Sequence, residues 1–190
     1  MVDFAPVAGQ LKMLLNGTTD NQLSAPTPCT EYTVGDLLDH LMALTYEFRT
    51  AAEKTPGAGT KGPPEASAGN LPADWREQLP ARLDALVEAW ADPVAWTGET
   101  RAGGVTMPAE MMGVIALDEV AVHSWDLARA TGQPFECDQG STEALFALLS
   151  QSTDEDGKNG LFGPVAAVPA DAPLFDRVLG LTGRDPAWKP

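Results

Sequence analysis

Basic residues are scarce in this chain. Twelve lysines and arginines stand against 27 aspartates and glutamates over 190 residues, a formal net charge of -15. A field of that sign repels polyanions, so neither nucleic acid nor an anionic membrane surface is expected as a partner. Cysteine is rarer still. Cys29 and Cys137 are the only two, too few for a disulfide framework. No apolar run approaches the roughly 20 residues that cross a bilayer. The opening MVDFAPVAGQ has no basic stretch followed by an apolar one, so it is not expected to act as a signal peptide. Histidine appears only twice, at His40 and His123. No internal repeat and no convincing strand run are visible. The expectation is a soluble, cytoplasmic protein.

What is present suffices for a core. Hydrophobic residues make up 44% and charged residues 21%, which sets the chain apart from a disordered acidic polymer. The length suits a single domain over residues 1–190. Apolar residues recur at spacings of three and four in several stretches, the period of an amphipathic helix. Val2 to Asn16 carries Phe4, Val7, Leu11, Leu14 and Leu15, with Gly17 as a stop. A second helix should start at Thr33, a good N-cap with Asp36 three residues on. Asp74 to Trp90 forms a third, with Pro80 as a kink or a true start. Pro108 to Ala130 is the strongest, apolar on more than one side and ended by Gly132. Ser141 to Gln151 and a short piece near Pro173 to Leu181 follow. Residues 55–72, rich in Gly and Pro, read as a mobile loop, and Trp96 to Val105 as a short extended piece turning at Gly103-Gly104. The fold expectation is all-α: a bundle of four main helices with short additional helices and a Pro-rich C-terminal tail.

The chemistry-bearing residues are few. Glu119 precedes His123 by four residues, so both side chains lie on one helix face, one turn apart. His40 can add a third ligand from the second helix. Two imidazoles and a carboxylate leave a coordination position open, the arrangement of catalytic rather than structural zinc sites. A histidine on an apolar face is also an ordinary core residue, and spacing alone leaves that alternative open. Asp36, Asp118 and Asp126 are placed to orient the histidines, although Asp36 is equally explained as a helix cap. Cys29, just before a helix, lacks a neighbouring base and reads as packed. The run Asp154-Glu155-Asp156-Gly157 fails the calcium-loop pattern. The G-x-G of PGAGTKG follows no strand, so it is not a nucleotide fingerprint.

The stretch TPCTEYTVGDLLDHLMAL resembles the opening signature of the DinB-like metal-binding helical-bundle proteins. LDEVAVHSWDLARATGQP resembles their third-helix signature, E-x-x-x-H followed by W-D-L-A-R-A-T-G. With the tail FGPVAAVPADAPLFDRVLGLTGRDPAW, the resemblance is to the branch that includes the N-terminal domain of mycothiol-dependent maleylpyruvate isomerase. It implies a divalent metal held by His40, Glu119 and His123, with zinc or nickel suiting the imidazoles. It also implies a low-molecular-weight thiol, mycothiol or bacillithiol, as cosubstrate for transfer or isomerisation on a small electrophile. Trp125 and Arg129 belong to the signature. They are the candidate contacts to a bound cofactor or substrate, with helix packing and an Asp126–Arg129 pair as the alternative. The rival functions are a non-catalytic metal- or ligand-binding bundle and a metal-dependent hydrolase. A homodimer suits the family, although no heptad seam here demands one.

Overall fold

The computed structural model describes residues 1–62, 65–151 and 163–190. The described part is mostly helical, with six α-helices and one small two-stranded sheet. The polar stretch from Thr153 to Gly160, acidic run included, lies outside the described residues.

Helix α1 (Ala5–Gly17) buries Val7, Ala8, Leu11, Leu14 and Leu15 on one face, the apolar row of the sequence. Helix α2 (Val34–Ala52) begins where the sequence places it. The Thr33 hydroxyl accepts from the Asp36 N–H, and the Asp36 carboxylate accepts from the Thr33 N–H. The capping box forms although aspartate replaces the usual glutamate. Helix α3 (Trp75–Ala91) runs through Pro80 and buries Leu79, Leu83, Leu86 and Trp90. Proline has no N–H, so the Arg76 carbonyl receives no helical bond from it.

Between α3 and the next helix the sequence suggests only an extended piece. The structure has a hairpin there, β1 (Glu99–Ala102) antiparallel to β2 (Val105–Pro108), with Glu99 opposite Pro108 and Ala102 opposite Val105. Gly103 and Gly104 turn it with φ of 57° and 80°. Positive φ at both positions marks the tight turn that matches strand twist. Four-residue strands are too short to hold alone. Tertiary bonds seat this one on α2: the Thr100 hydroxyl donates to the Ala51 carbonyl at 2.5 Å, and the Gly103 N–H to Glu47 at 2.8 Å.

Helix α4 (Ala109–Thr131) has buried residues on nearly every side, and Gly132 ends it in the left-handed region at φ 71°. It packs against α1 and α2, which both also meet α3. A Cβ on Gly113 would lie 2.5 Å from the Trp96 ring and 2.9 Å from Trp90, so glycine lets α4 approach both indoles. Each indole N–H is satisfied, Trp90 by the Phe48 carbonyl and Trp96 by the Trp90 carbonyl.

Helix α5 (Gln139–Leu149), capped by Asp138, packs on α4 and on α6 (Leu174–Leu181). Gly183 ends α6 at φ 82°. Its N–H reaches the Gly180 carbonyl, and the Arg184 N–H reaches the Leu179 carbonyl, the paired bonds of a Schellman turn. That turn sends Arg184 back toward α4. Among the described residues of 55–72 there is no helix beyond a 3-10 turn at Ala68–Asn70. Their far end is pinned to α2, with the Ala68 N–H on Asp36 and the Ser67 N–H on Asp39. No described helix is long and apolar enough to cross a membrane.

Candidate metal centre

Helices α2 and α4 lie against each other and bring the two histidines together across 83 residues of sequence. Leu37, Leu41 and Leu44 bury one flank of α2. His40 stands at the edge of that row, three residues after Leu37. On α4, Glu119 and His123 stack one turn apart.

Glu119 Oε2 lies 3.1 Å from His123 Nε2 and 3.8 Å from His40 Nε2. One donor atom from each residue fits within a mutual 4.8 Å. The two imidazole rings meet edge to face, with centroids 5.0 Å apart. Zinc bonds of about 2.0–2.1 Å in a tetrahedron place donor atoms about 3.3 Å apart. The separations to Glu119 straddle that spacing, so the donor set fits a divalent cation. His123 is 5% exposed. Its Nδ1 faces Asp126 Oδ2 at 2.9 Å. A carboxylate on that side fixes the ring and leaves Nε2 toward Glu119.

The electrostatics follow from this packing. Burial opposes the charge on Glu119, but hydrogen bonds from His123 and His40 outweigh it and hold the carboxyl well below its usual range. Burial would lower the His123 pKa, yet its bonds to Asp126 and Glu119 raise it to about 9. Asp118, fully buried beside Glu119, is pushed up to about 8 by burial first and by Glu119 second. Its Oδ1 has no hydrogen-bond partner among the described residues. Burial raises the Cys29 thiol to about 11, so at neutral pH it is protonated and a poor nucleophile.

A cavity of about 630 Å³ opens onto the cluster and takes in His40, Glu119 and His123. Leu44, Phe48, Met112, Ile115 and Val122 give it apolar walls, and the hairpin supplies Val105 and Met107. Met111, next to Met112 on α4, is 43% exposed and does not line the cavity. Tyr32 leans on the His40 ring at 5.1 Å and also lines the space. The volume is that of a small-molecule site.

Trp125 and Arg129, the expected cofactor contacts, lie elsewhere. The Arg129 guanidinium sits over the Trp125 ring at 5.8 Å and donates to the Trp188 carbonyl at 2.6 Å. Neither is among the residues lining the cavity. Asp126 pairs with His123 and with Arg184, whose Nη2 donates to Asp126 Oδ2 at 3.1 Å, and not with Arg129. Sequence reasoning missed Arg184. It lies 58 residues beyond its partner, and the one local signal is Gly183, the glycine that turns the chain.

A protein-family model described as the mycothiol maleylpyruvate isomerase N-terminal domain matches residues 4–128. The chain belongs to that family. The segment that places it among the mycothiol maleylpyruvate isomerase N-terminal domains includes His40, Glu119, His123 and Asp126, and ends before Arg184. Two uncharacterized proteins of Mycobacterium tuberculosis, Rv0738 of strain H37Rv and MT0763 of strain CDC 1551 / Oshkosh, are each 28% identical to it over 186 residues. Each alignment covers 90% of this chain and 90% of the relative. No solved structure matches the chain.

Proposed function

We propose that the chain is a single DinB-like domain over residues 1–190, with α1 to α4 as its four-helix bundle, and that it binds one divalent metal through His40, Glu119 and His123. Its activity on this reading is thiol transfer or thiol-assisted isomerisation on a small electrophile. The observation that carries it is the convergence of two imidazoles and a carboxylate in a cavity with apolar walls from Leu44, Phe48, Met112, Ile115 and Val122. Bound there, zinc or nickel would deprotonate a thiol such as mycothiol or bacillithiol, whose free pKa is near 8.5.

The chain's own residues supply the rest. Asp126 holds the His123 ring with Nε2 toward Glu119. The apolar walls exclude water and raise the strength of every electrostatic contact inside. Asp118 carries a proton up to about pH 8 and is the group in the wall that can hand one to a thiol adduct. Cys29, protonated and without a base, is left out of the chemistry.

The test is metal content per chain, by elemental analysis of protein purified without a histidine tag, for the wild type, His40→Ala and His123→Ala. The expected result is close to one metal per chain in the wild type and none in either variant. Metal-loaded protein is then assayed with mycothiol or bacillithiol and a panel of small electrophiles. Wild-type protein that takes up neither zinc nor nickel would overturn the reading. Metal-loaded protein inert with every thiol would reduce it to a binding module, and turnover without thiol would make it a hydrolase.

A further inference from the structure

Arg184 is the only lysine or arginine among the described residues that line the cavity. It comes from the C-terminal segment, outside the matched family segment. The Gly183 turn aims it inward, and a Cβ at Gly183 would meet Gly163 Cα at 3.0 Å and the Pro164 carbonyl at 3.1 Å, so the turn is tightly packed as well as left-handed. The guanidinium is held by two bonds, Nη2 to Asp126 and Nη1 to the Thr182 carbonyl at 2.8 Å. Two of its five N–H groups are thus used. Its side chain is 13% exposed. Asp118, 3% exposed and with Oδ1 unpartnered, lines the same space.

Apart from the His40, Glu119 and His123 cluster and Asp118 beside it, the other charged groups of the lining are acidic. Glu31 is exposed and marks the outer end, and Glu47 lies partly buried beside the hairpin, where it holds the Gly103 N–H. The buried end therefore holds the Arg184 guanidinium beside the His40, Glu119 and His123 cluster, and the charged groups toward solvent are carboxylates. A ligand with one carboxylate fits this arrangement, because a fork of guanidinium N–H groups receives a carboxylate in defined geometry. A second carboxylate would face Glu31 and Glu47, and like charges there count against it.

From these observations we infer that Arg184 is the specificity-determining residue of the cavity, anchoring the single carboxylate of a monoanionic small molecule whose far end is uncharged. This deepens the reading of the cavity as a substrate site. It does not require that the metal reading hold.

The test uses succinate, monomethyl succinate and dimethyl succinate, three ligands of one backbone with two, one and no carboxylates and no electrophilic carbon to alkylate a cysteine. Binding is followed by calorimetry or ligand-observed NMR, on zinc-loaded and on metal-free full-length protein. Monomethyl succinate is expected to bind at least tenfold more tightly than either of the others. Arg184→Gln should abolish that preference and Arg184→Lys retain part of it, with folding of each checked by circular dichroism. Should the glutamine variant not fold, the ranking of the three ligands on the wild type still decides. Equal affinity for the mono- and diester overturns the inference. So does tighter binding of succinate, and so does binding seen only with zinc and unchanged in Arg184→Gln, which would make the metal alone the carboxylate's partner. A preference for the monoester in metal-free wild type, lost in Arg184→Gln, supports the inference even if zinc proves not to bind at all.

Discussion

Replacing Asp126 by asparagine removes one charge where two cationic groups converge. The side chain is 0% exposed, and a single oxygen, Oδ2, meets both His123 Nδ1 at 2.9 Å and Arg184 Nη2 at 3.1 Å. In the metal-free protein both bonds are charge-assisted, since His123 stays protonated to about pH 9. Such bonds contribute about 1.5–3 kcal/mol each, against about 0.5–1.5 kcal/mol for neutral ones. Asparagine keeps an acceptor oxygen but not the charge, so the two bonds together should lose about 2–3 kcal/mol. Arg184 is also left without its counter-ion in a buried setting, which acts in the same direction. Urea unfolding of the metal-free protein should show that loss, well beyond the roughly 0.5 kcal/mol of an ordinary surface change. Zinc affinity, read by competition with a chromophoric chelator, should fall about 10–100-fold, the usual effect of removing the carboxylate behind a ligating imidazole. Lost stability with unchanged zinc affinity would mean that Asp126 serves Arg184 alone. An unchanged urea midpoint together with zinc binding within about twofold of wild type would refute the reasoning altogether.

Three further outcomes are expected. Metal-free protein should lose stability as pH rises from about 6.5 to 9. The raised pKa of His123 contributes fully below its unfolded value of about 6.5 and disappears through its folded value of about 9. Zinc-saturated protein, which needs the neutral imidazole, should not show that decline, and a flat profile for the metal-free form would refute the assignment. Zinc uptake at pH 7 should release about one proton from His123, visible as a dependence of the calorimetric heat on buffer ionisation enthalpy. Gly132→Ala, at φ 71° with open space around it, should cost about 1 kcal/mol. Gly183→Ala, at φ 82° against Gly163 and Pro164, should cost at least about 1 kcal/mol more. Equal losses in urea unfolding would show that the close approach at Gly183 has no energetic weight.

The helices were legible because their determinants are local. The capping pair Thr33 and Asp36, the leucine rows of α1 and α2, and the left-handed Gly132 each work within one or two turns of the residues that reveal them. Observed boundaries differ from the sequence reading by up to three residues. The hairpin was legible only as an extended piece with a glycine turn. Its strands hold four residues each, and what seats them, Ala51 and Glu47, lies some 50 residues away in sequence. At the candidate site, Glu119 and His123 announce themselves by helical spacing, and His40, the one other histidine, offers a third ligand from the second helix that the resemblance also implies. Asp126 was legible in part. Its spacing allowed it to orient His123, as the structure shows, or to pair with Arg129, and the arginine it meets is instead Arg184 from the tail. A sequence shows the partner that is near in the chain, whereas burial selects the one that is near in space.

That difference bears on how far family membership reaches. The residues that fit a metal, and the carboxylate that orients one of them, all fall within residues 4–128. The cation of the cavity does not. It arrives from beyond α6, through a glycine turn that packs against Gly163, itself outside the matched segment. Yet the two parts are not independent, because Asp126 Oδ2 is shared between His123 and Arg184. The same oxygen that sets the ring of a candidate ligand also sets the guanidinium that faces the cavity. A change in the tail therefore alters the charge at the buried end of the pocket and the support of the histidine together. The family match reaches the donor set alone, and the selectivity proposed for the cavity rests on where the tail meets α4.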